Sequence, residues 1–280
     1  MIIIKIKGGL GNQLFQYAVG RAVALHHKSP LKLDLTIFKT YELHKYLLDQ
    51  FAIQADMATE NEISELKGGN NLLFSALRKA RVVKRKSYFK EKRSSYFDAS
   101  VFKNDDVYFD GYWQNELYFS DIRELLLEEL SPNSLMNDLG CAYLDCIKKN
   151  NSVSIHVRRG DYLNLKNINV LDVDYYLKAV DYIRNIIEKP SFYIFSDDLE
   201  WCKSNLAFLD DCIYVESTQT EIDDLKLMSF CQHNIIANSS FSWWGAWLNQ
   251  NPNKTVIAPK GWLLNDPDSS NVILSDLVKF

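Results

Sequence analysis

Short apolar runs alternate with longer stretches of helical spacing along this chain of 280 residues. Ile2 to Ile6 is a β-branched run of strand length, closed by Gly8-Gly9. From about Asn12 to His27, Leu14, Ala18, Arg21, Ala22 and Leu25 recur at helical intervals. Leu31 to Leu35 alternates apolar with polar and reads as a second strand. Strand, glycine turn, helix and strand make a Rossmann-like opening. The stretch from Thr59 to Lys92 is polar and more helical, without a clear element pattern. Val107 to Phe109 reads as a strand, and Tyr118 to Leu130 as a helix stopped by Ser131-Pro132.

A second cycle begins at Ser152 to Val157, a strand running into Arg158-Arg159-Gly160-Asp161. Asp174 to Glu188 predicts a helix, with Tyr176, Val180, Ile183 and Ile187 on one face. Strands follow at Phe192–Phe195, Cys212–Val215, Asn234–Ala237 and Lys254–Ala258, separated by helices at Asp224–Cys231 and Trp243–Leu248. Such alternation predicts parallel sheets joined by right-handed crossovers. A boundary between Ser131 and Asn151 divides the pattern into an N-terminal half, residues 1–140, and a C-terminal half, residues 141–280.

Composition narrows the class. Hydrophobic residues make up 47% and charged residues 24%, which suits a globular protein with a substantial core. No apolar run approaches the length of a membrane span, and the first apolar stretch is too short for a signal peptide. The expectation is a cytoplasmic protein. Five cysteines without a CxxC, and five histidines without HExxH or HxH, indicate neither a disulfide framework nor a metal centre. The net charge of −4 hides an asymmetry, because Arg78 to Arg93 carries +8. That run could meet phosphates, an inner-membrane surface or a lipid-linked glycan, although a solvated connecting face is the weightier reading. No signature for nucleic-acid binding accompanies it.

Ligands of open α/β sheets bind at the carboxyl ends of the strands, which sorts the polar residues. The loop Gly8 to Gln13 allows close backbone approach through Gly9 and Gly11, but Leu14 stands where a dinucleotide fingerprint needs glycine. His156 and Arg158 share one side of their strand by alternation, and Arg159 follows. Guanidinium groups fork onto phosphate oxygens, and Asp161 could hold an arginine or accept from a sugar hydroxyl. Asp197 can accept from a guanine edge or a ribose, while Asp197 or Asp198 could equally cap a helix. Asn238-Ser239-Ser240 precedes a helix and suits a phosphate, with Ser242 a candidate cap. Trp243, Trp244 and Trp247 read as core. Asp172-Val173-Asp174 has the DxD form of metal-dependent sugar transferases, but it leads into a helix, and Asp174 reads as the N-cap.

His156-Val157-Arg158-Arg159-Gly160-Asp161 resembles the HxRRGD motif of transferases that use GDP-fucose. Gly8 to Ala18, Gly111-Tyr112-Trp113-Gln114, Tyr118-Phe119 and Asn238 to Ala246 narrow the resemblance to the α-1,2-fucosyltransferases of glycosyltransferase family 11. Similarity runs in blocks over nearly the whole chain and is poorest between Thr59 and Asp106.

The resemblance implies a GT-B-like α/β fold of two Rossmann-like halves with parallel sheets facing a cleft. It implies inverting, metal-independent transfer of L-fucose from GDP-β-L-fucose to the 2-hydroxyl of a terminal β-galactoside, with no cofactor. Donor-binding residues would be His156, Arg158, Asp197, Asn238, Ser239, Ser240 and Phe241. Arg158, Arg159 and Asp161 would serve catalysis; no single carboxylate stands out as the base. Gly9, Gly11, Asn12, Gln13, Trp113 and Gln114 would serve the acceptor, Trp113 with an aromatic face. Animal members carry an N-terminal anchor. Here the first motif begins within ten residues of Met1, so a bacterial, unanchored member is expected.

Overall fold

The computed structural model describes residues 1–40, 43–67, 87–93, 95–131, 136–166, 168–209, 212–216, 218, 220–262 and 277–280. Most of the basic run, residues 78–86, lies outside them. The chain divides into two compact units, Met1–Ser131 and Pro132–Phe280. The helix Asp138–Lys149 belongs wholly to the second unit, where Ile147 packs with Tyr193 and Leu227. A division at residue 140 would cut through it.

The first unit holds β1 (Ile2–Lys5), α1 (Leu10–His27), β2 (Leu31–Asp34), β3 (Asp56–Met57), α2 (Glu60–Lys67), β4 (Tyr88–Lys90), β5 (Val107–Asp110) and α3 (Arg123–Glu129). Its sheet runs β3-β2-β1-β5-β4, and all the strand pairs are parallel. Ile2, Ile3 and Ile4 are wholly buried, as a parallel strand covered on both faces requires. Helix α1 starts two residues earlier than its apolar spacing suggests, because Gly9 takes the N-cap position. It lies close on the sheet at Gly20, where a Cβ would come within 2.9 Å of Leu31 and 3.0 Å of Ile4.

The helix expected from Tyr118 to Leu130 is broken. Glu116–Tyr118 and Ser120–Ile122 are 3₁₀ turns, and only α3 is α-helical. Phe119, at φ −142°, has left the helical region. Its ring is buried edge-on against Phe15, 6.0 Å away, while the Tyr118 hydroxyl turns to Tyr96 O. Tertiary burial overrides local helical preference here. Glu129 at the end of α3 ties the segment back to α1, accepting from Tyr17 and, at 2.7 Å, from Arg21.

The second unit begins with α4 (Asp138–Lys149) and β6 (Asn151–Val157). There follow α5 (Val173–Ile186), β7 (Pro190–Ser196), α6 (Leu199–Asn205), β8 (Ile213–Tyr214), α7 (Glu221–Phe230), β9 (His233–Ile235), α8 (Ser240–Leu248), β10 (Val256–Ala258) and β11 (Val278–Lys279). The parallel order is β11-β10-β9-β6-β7-β8. Helix α5 is capped by Asp172, which accepts from Tyr175 N at 3.1 Å, and not by Asp174 as the spacing had suggested. Among the described residues no helix is long and apolar enough to cross a membrane.

Each sheet grows outward from its first strand in one direction and then reverses. The first unit proceeds β1 to β2 and later adds β5 on the other side of β1; the second proceeds β6, β7, β8 and then adds β9 beside β6. These are topological switch points, where connections diverge and leave a crevice beyond the strand ends. A buried amide fastens the second one. Asn234 on β9 donates to Ser154 Oγ at 2.8 Å and Met228 O at 2.9 Å, and accepts from Asn249 at 2.8 Å. Asn234→Ala would leave three buried polar groups without this partner, a loss of about 3 kcal/mol. Urea unfolding followed by circular dichroism checks it; a midpoint equal to wild type would show the amide to be dispensable.

Candidate active site

The switch point of the second unit gathers the candidate donor residues. Arg158 leaves the end of β6 between two carboxylates, Asp161 Oδ1 at 2.6 Å and Asp197 Oδ2 at 3.1 Å, with the Tyr162 ring 5.4 Å away. These ion pairs occupy at most two of its five N–H groups. Arg159 is engaged differently. Its guanidinium lies 4.1 Å over the Trp201 ring and 3.3 Å from Asp198, the residue that caps α6. Adjacent arginines thus divide their work, one open to a ligand and one bracing the loop against a helix.

Asp197 is committed to the loop. Its Oδ1 accepts from Arg159 N at 2.9 Å, and its Oδ2 meets Arg158. Gly160, which follows the two arginines, allows this approach, since a Cβ there would come within 2.5 Å of Asp197 Oδ2 and push that carboxylate aside. Asp197 therefore shapes the arginine loop directly, a use distinct from the guanine contact expected of it.

Across the crevice, Ser239 caps α8, accepting from Phe241 N at 3.3 Å. Ser242, the cap suggested by sequence, instead donates to Ala237 O and Ser239 O inside the helix start. Ser240 is the first residue of α8, and Phe241 sets its ring 5.6 Å from His156. Tyr162 joins the two sides, donating to Asn238 O at 3.2 Å. Sequence reasoning missed it, although it directly follows Asp161.

Two buried atoms at this crevice have no partner among the described residues: His156 Nδ1 and Asn238 Oδ1. Both residues are nearly inaccessible, at 5% and 4% exposure, and the Asn238 amide nitrogen is already spent on Asn169 O and Trp262 O. Buried orphans are rare in folded proteins, and here they sit at a place built for ligands. Trp243, Trp244 and Trp247 are wholly buried core, as expected.

The first unit has its own switch point, between the ends of β1 and β5. Gln16, buried in α1, spans it: it accepts from Lys7 N at 2.9 Å and donates to Lys7 O and Gly111 O, both at 3.2 Å. The loop turns at Gly8, with φ 80°, while Gly9 is the helix N-cap and Gly11 lies within α1. The turn is therefore not made by Gly9 and Gly11, as their spacing had suggested. Gln13 is also structural. It is fully buried, donates to Gly8 O and Lys45 O, and accepts from Leu47 N at 3.0 Å.

Trp113 corrects a further expectation. It is 1% exposed, packed among Phe89, Phe109 and Tyr118, and offers no face to a sugar. Its backbone takes φ 58°, unusual for so large a side chain. Glu91 holds that turn, accepting from Tyr112 N at 2.6 Å and Trp113 N at 2.7 Å. Burial raises the Glu91 carboxyl above its ordinary range, and the two N–H groups oppose this. Beside the turn, Gln114 donates to Asn12 Oδ1 at 2.7 Å, bridging β5 to the glycine loop.

Residues 1–271 match the sequence model of Glycosyl transferase family 11. The chain belongs to that family. An alpha-1,2-colitosyltransferase of Escherichia coli is 37% identical, over 94% of this chain and 92% of its own length. A galactoside 2-alpha-L-fucosyltransferase, Sec1, of Mus musculus is 25% identical, over 89% of this chain and 64% of its own. The crystal structure of the fucosyltransferase NodZ from Bradyrhizobium superposes with a TM-score of 0.52 at 12% identity, covering 87% of this chain and 91% of that one. Such a likeness speaks for the fold alone, the GT-B-type α/β architecture with two parallel sheets.

The neutral histidine of this family 11 site makes a measurable signature. Burial, and secondarily the Arg158 charge, push the His156 imidazole down to about 3. In the unfolded chain it titrates near 6.5. Below about pH 6.5 the unfolded state therefore binds more protons, and stability falls as pH falls toward the folded value. Between pH 7 and pH 5 this group alone removes about 2 kcal/mol. Urea titrations at both pH values should show wild type losing about 2 kcal/mol more than His156→Gln. Equal losses in the two proteins would mean that the imidazole ionises freely in the native fold.

Proposed function

We propose that this family 11 chain transfers L-fucose from GDP-β-L-fucose to the 2-hydroxyl of a terminal β-galactoside, with inversion and without a metal ion. One observation carries the donor assignment: an arginine with unspent donors stands at a switch-point crevice beside two orphaned buried atoms. In this reading the pyrophosphate lies against Arg158 and the start of α8, and the nucleoside reaches His156 Nδ1 and Asn238 Oδ1. The activities for which the relatives are named support an α-1,2 linkage and a 6-deoxy sugar.

The acceptor 2-hydroxyl attacks the anomeric carbon as the bond to the β-phosphate oxygen breaks, and its proton passes to solvent. Positive charge develops on the sugar ring, and the bonding electrons pass to the leaving GDP. Fixed donors aimed at that growing negative charge lower the barrier most. Arg158 supplies them, held in place by Asp161 and Asp197. Arg159, braced by Trp201 and Asp198, keeps the loop in the shape that presents its neighbour.

A second reading concerns the donor sugar. Colitose is L-fucose without its 3-hydroxyl, and the Escherichia coli relative transfers colitose. A site that hydrogen-bonds the 3-hydroxyl discriminates strongly against the deoxy sugar, whereas a purely apolar pocket discriminates weakly. Rates with GDP-fucose and GDP-colitose, each with lactose as acceptor, decide between them. A large preference for GDP-colitose would replace fucose in the proposal.

Arg158→Ala should lower turnover by a hundredfold or more, about 3 kcal/mol of lost charge stabilisation, with circular dichroism unchanged. Near-wild-type turnover by the folded variant would remove Arg158 from the mechanism. EDTA should leave activity intact. Complete loss restored by Mn²⁺, with Asp172→Asn equally inactive, would replace the arginine mechanism with a metal-dependent one.

A further inference from the structure

Tyr112 and Trp113 are neighbours with opposite fates. The indole is sealed in the core, while the Tyr112 ring is 39% exposed at the carboxyl end of β5. The Lys7 ammonium lies 4.7 Å from that ring's centre and is itself paired with Asp110 at 2.8 Å, so the ring is braced as well as exposed. Glu91 enforces the arrangement. By binding both N–H groups of the turn it holds Trp113 at φ 58°, which sends successive side chains inward and outward. Backbone conformations this unfavourable for a bulky residue persist where the surroundings over-determine them, and they cluster at binding sites.

The same switch point holds the Asn12–Gln114 pair. Their mutual hydrogen bond uses one atom of each amide. Among the described residues that is the only side-chain hydrogen bond of either amide, so Asn12 Nδ2 and Gln114 Oε1 are left as one donor and one acceptor. A fixed aromatic ring two residues before one member of such a pair, beyond the same strand end, is suited to a pyranose: the ring takes the apolar C–H face, and the amides distinguish hydroxyls.

We propose that Tyr112 is the aromatic platform for the acceptor sugar, that Asn12 and Gln114 read its hydroxyls, and that Glu91 is the positioning residue that holds the platform open. The assignment rests on the proposed use of a terminal β-galactoside and moves the sugar contact from Trp113 to the residue before it.

The experiment measures lactose kinetics with GDP-fucose, GDP affinity by calorimetry, and lactose binding by saturation-transfer difference NMR. Tyr112→Ala should raise the lactose KM about tenfold and weaken the saturation-transfer signals, with GDP affinity unchanged. Tyr112→Phe, which keeps the ring, should stay within about twofold of wild type. Glu91→Gln, which turns one of the two acceptor oxygens into a donor, should raise the lactose KM without altering GDP affinity. An unchanged lactose KM in Tyr112→Ala would overturn the proposal. Loss of GDP binding in that variant would also overturn it, by giving the ring to the donor. If wild type transfers no fucose to lactose, the functional reading fails. The saturation-transfer comparison then judges the platform separately: Tyr112-dependent lactose binding sustains it, and no lactose binding by wild type overturns it.

Discussion

Both units depend on one constraint of parallel sheets: a chain that extends the sheet in one direction must return to its first strand to extend it in the other. At that return two neighbouring strands send their continuations to opposite faces, and no connection covers the gap between them. In the second unit the gap lies between β6 and β9, in the first between β1 and β5. Backbone groups there cannot all be paired by the ladder, so side-chain amides take over. Gln16 fastens one gap, and Asn238 spends its amide nitrogen on Asn169 O and Trp262 O at the other. The polar chemistry of the chain gathers at these gaps because its core strands offer polar groups few other places.

At the second gap, electrostatics separates two residues that sequence treats as a pair. Arg158 and Arg159 follow the same strand with the same charge. Alternation sends one toward the crevice and the other toward α6. Trp201 and Asp198 receive Arg159, and a guanidinium stacked on an indole gains from both charge and area. Arg158 has carboxylates for neighbours and a more distant aromatic ring, Tyr162 at 5.4 Å, and it keeps donors unspent. Gly160 makes the division possible by letting Asp197 approach the backbone between them.

Much of this was legible in the sequence. The apolar runs located the long strands and predicted their parallel pairing, because burial on both faces writes itself as continuous β-branched residues, and the rule of strand ends picked out the polar loops. What escaped notice depends on contacts distant in sequence. Nothing near Tyr118 announces that Phe119 will leave the helix to meet Phe15. Gln13 looks like a ligand contact until the backbone of Lys45 and Leu47 arrives to satisfy it. Trp113 looks like a sugar platform until Phe89 and Phe109 enclose it. Its exposed neighbour is told apart only by a turn that Glu91 holds from another strand.

That turn limits how the protein can be improved. At position 113 the backbone favours glycine, since the left-handed conformation costs a bulky residue about 1–3 kcal/mol. The interior favours indole, and emptying a site of that size costs about 3–5 kcal/mol. Filling the interior outweighs relaxing the backbone, so no single residue suits both demands, and a glycine substitution there would exchange a strained loop for a cavity. Engineering for thermal tolerance would have to leave both parts of the clamp alone, position 113 and Glu91 just beyond β4.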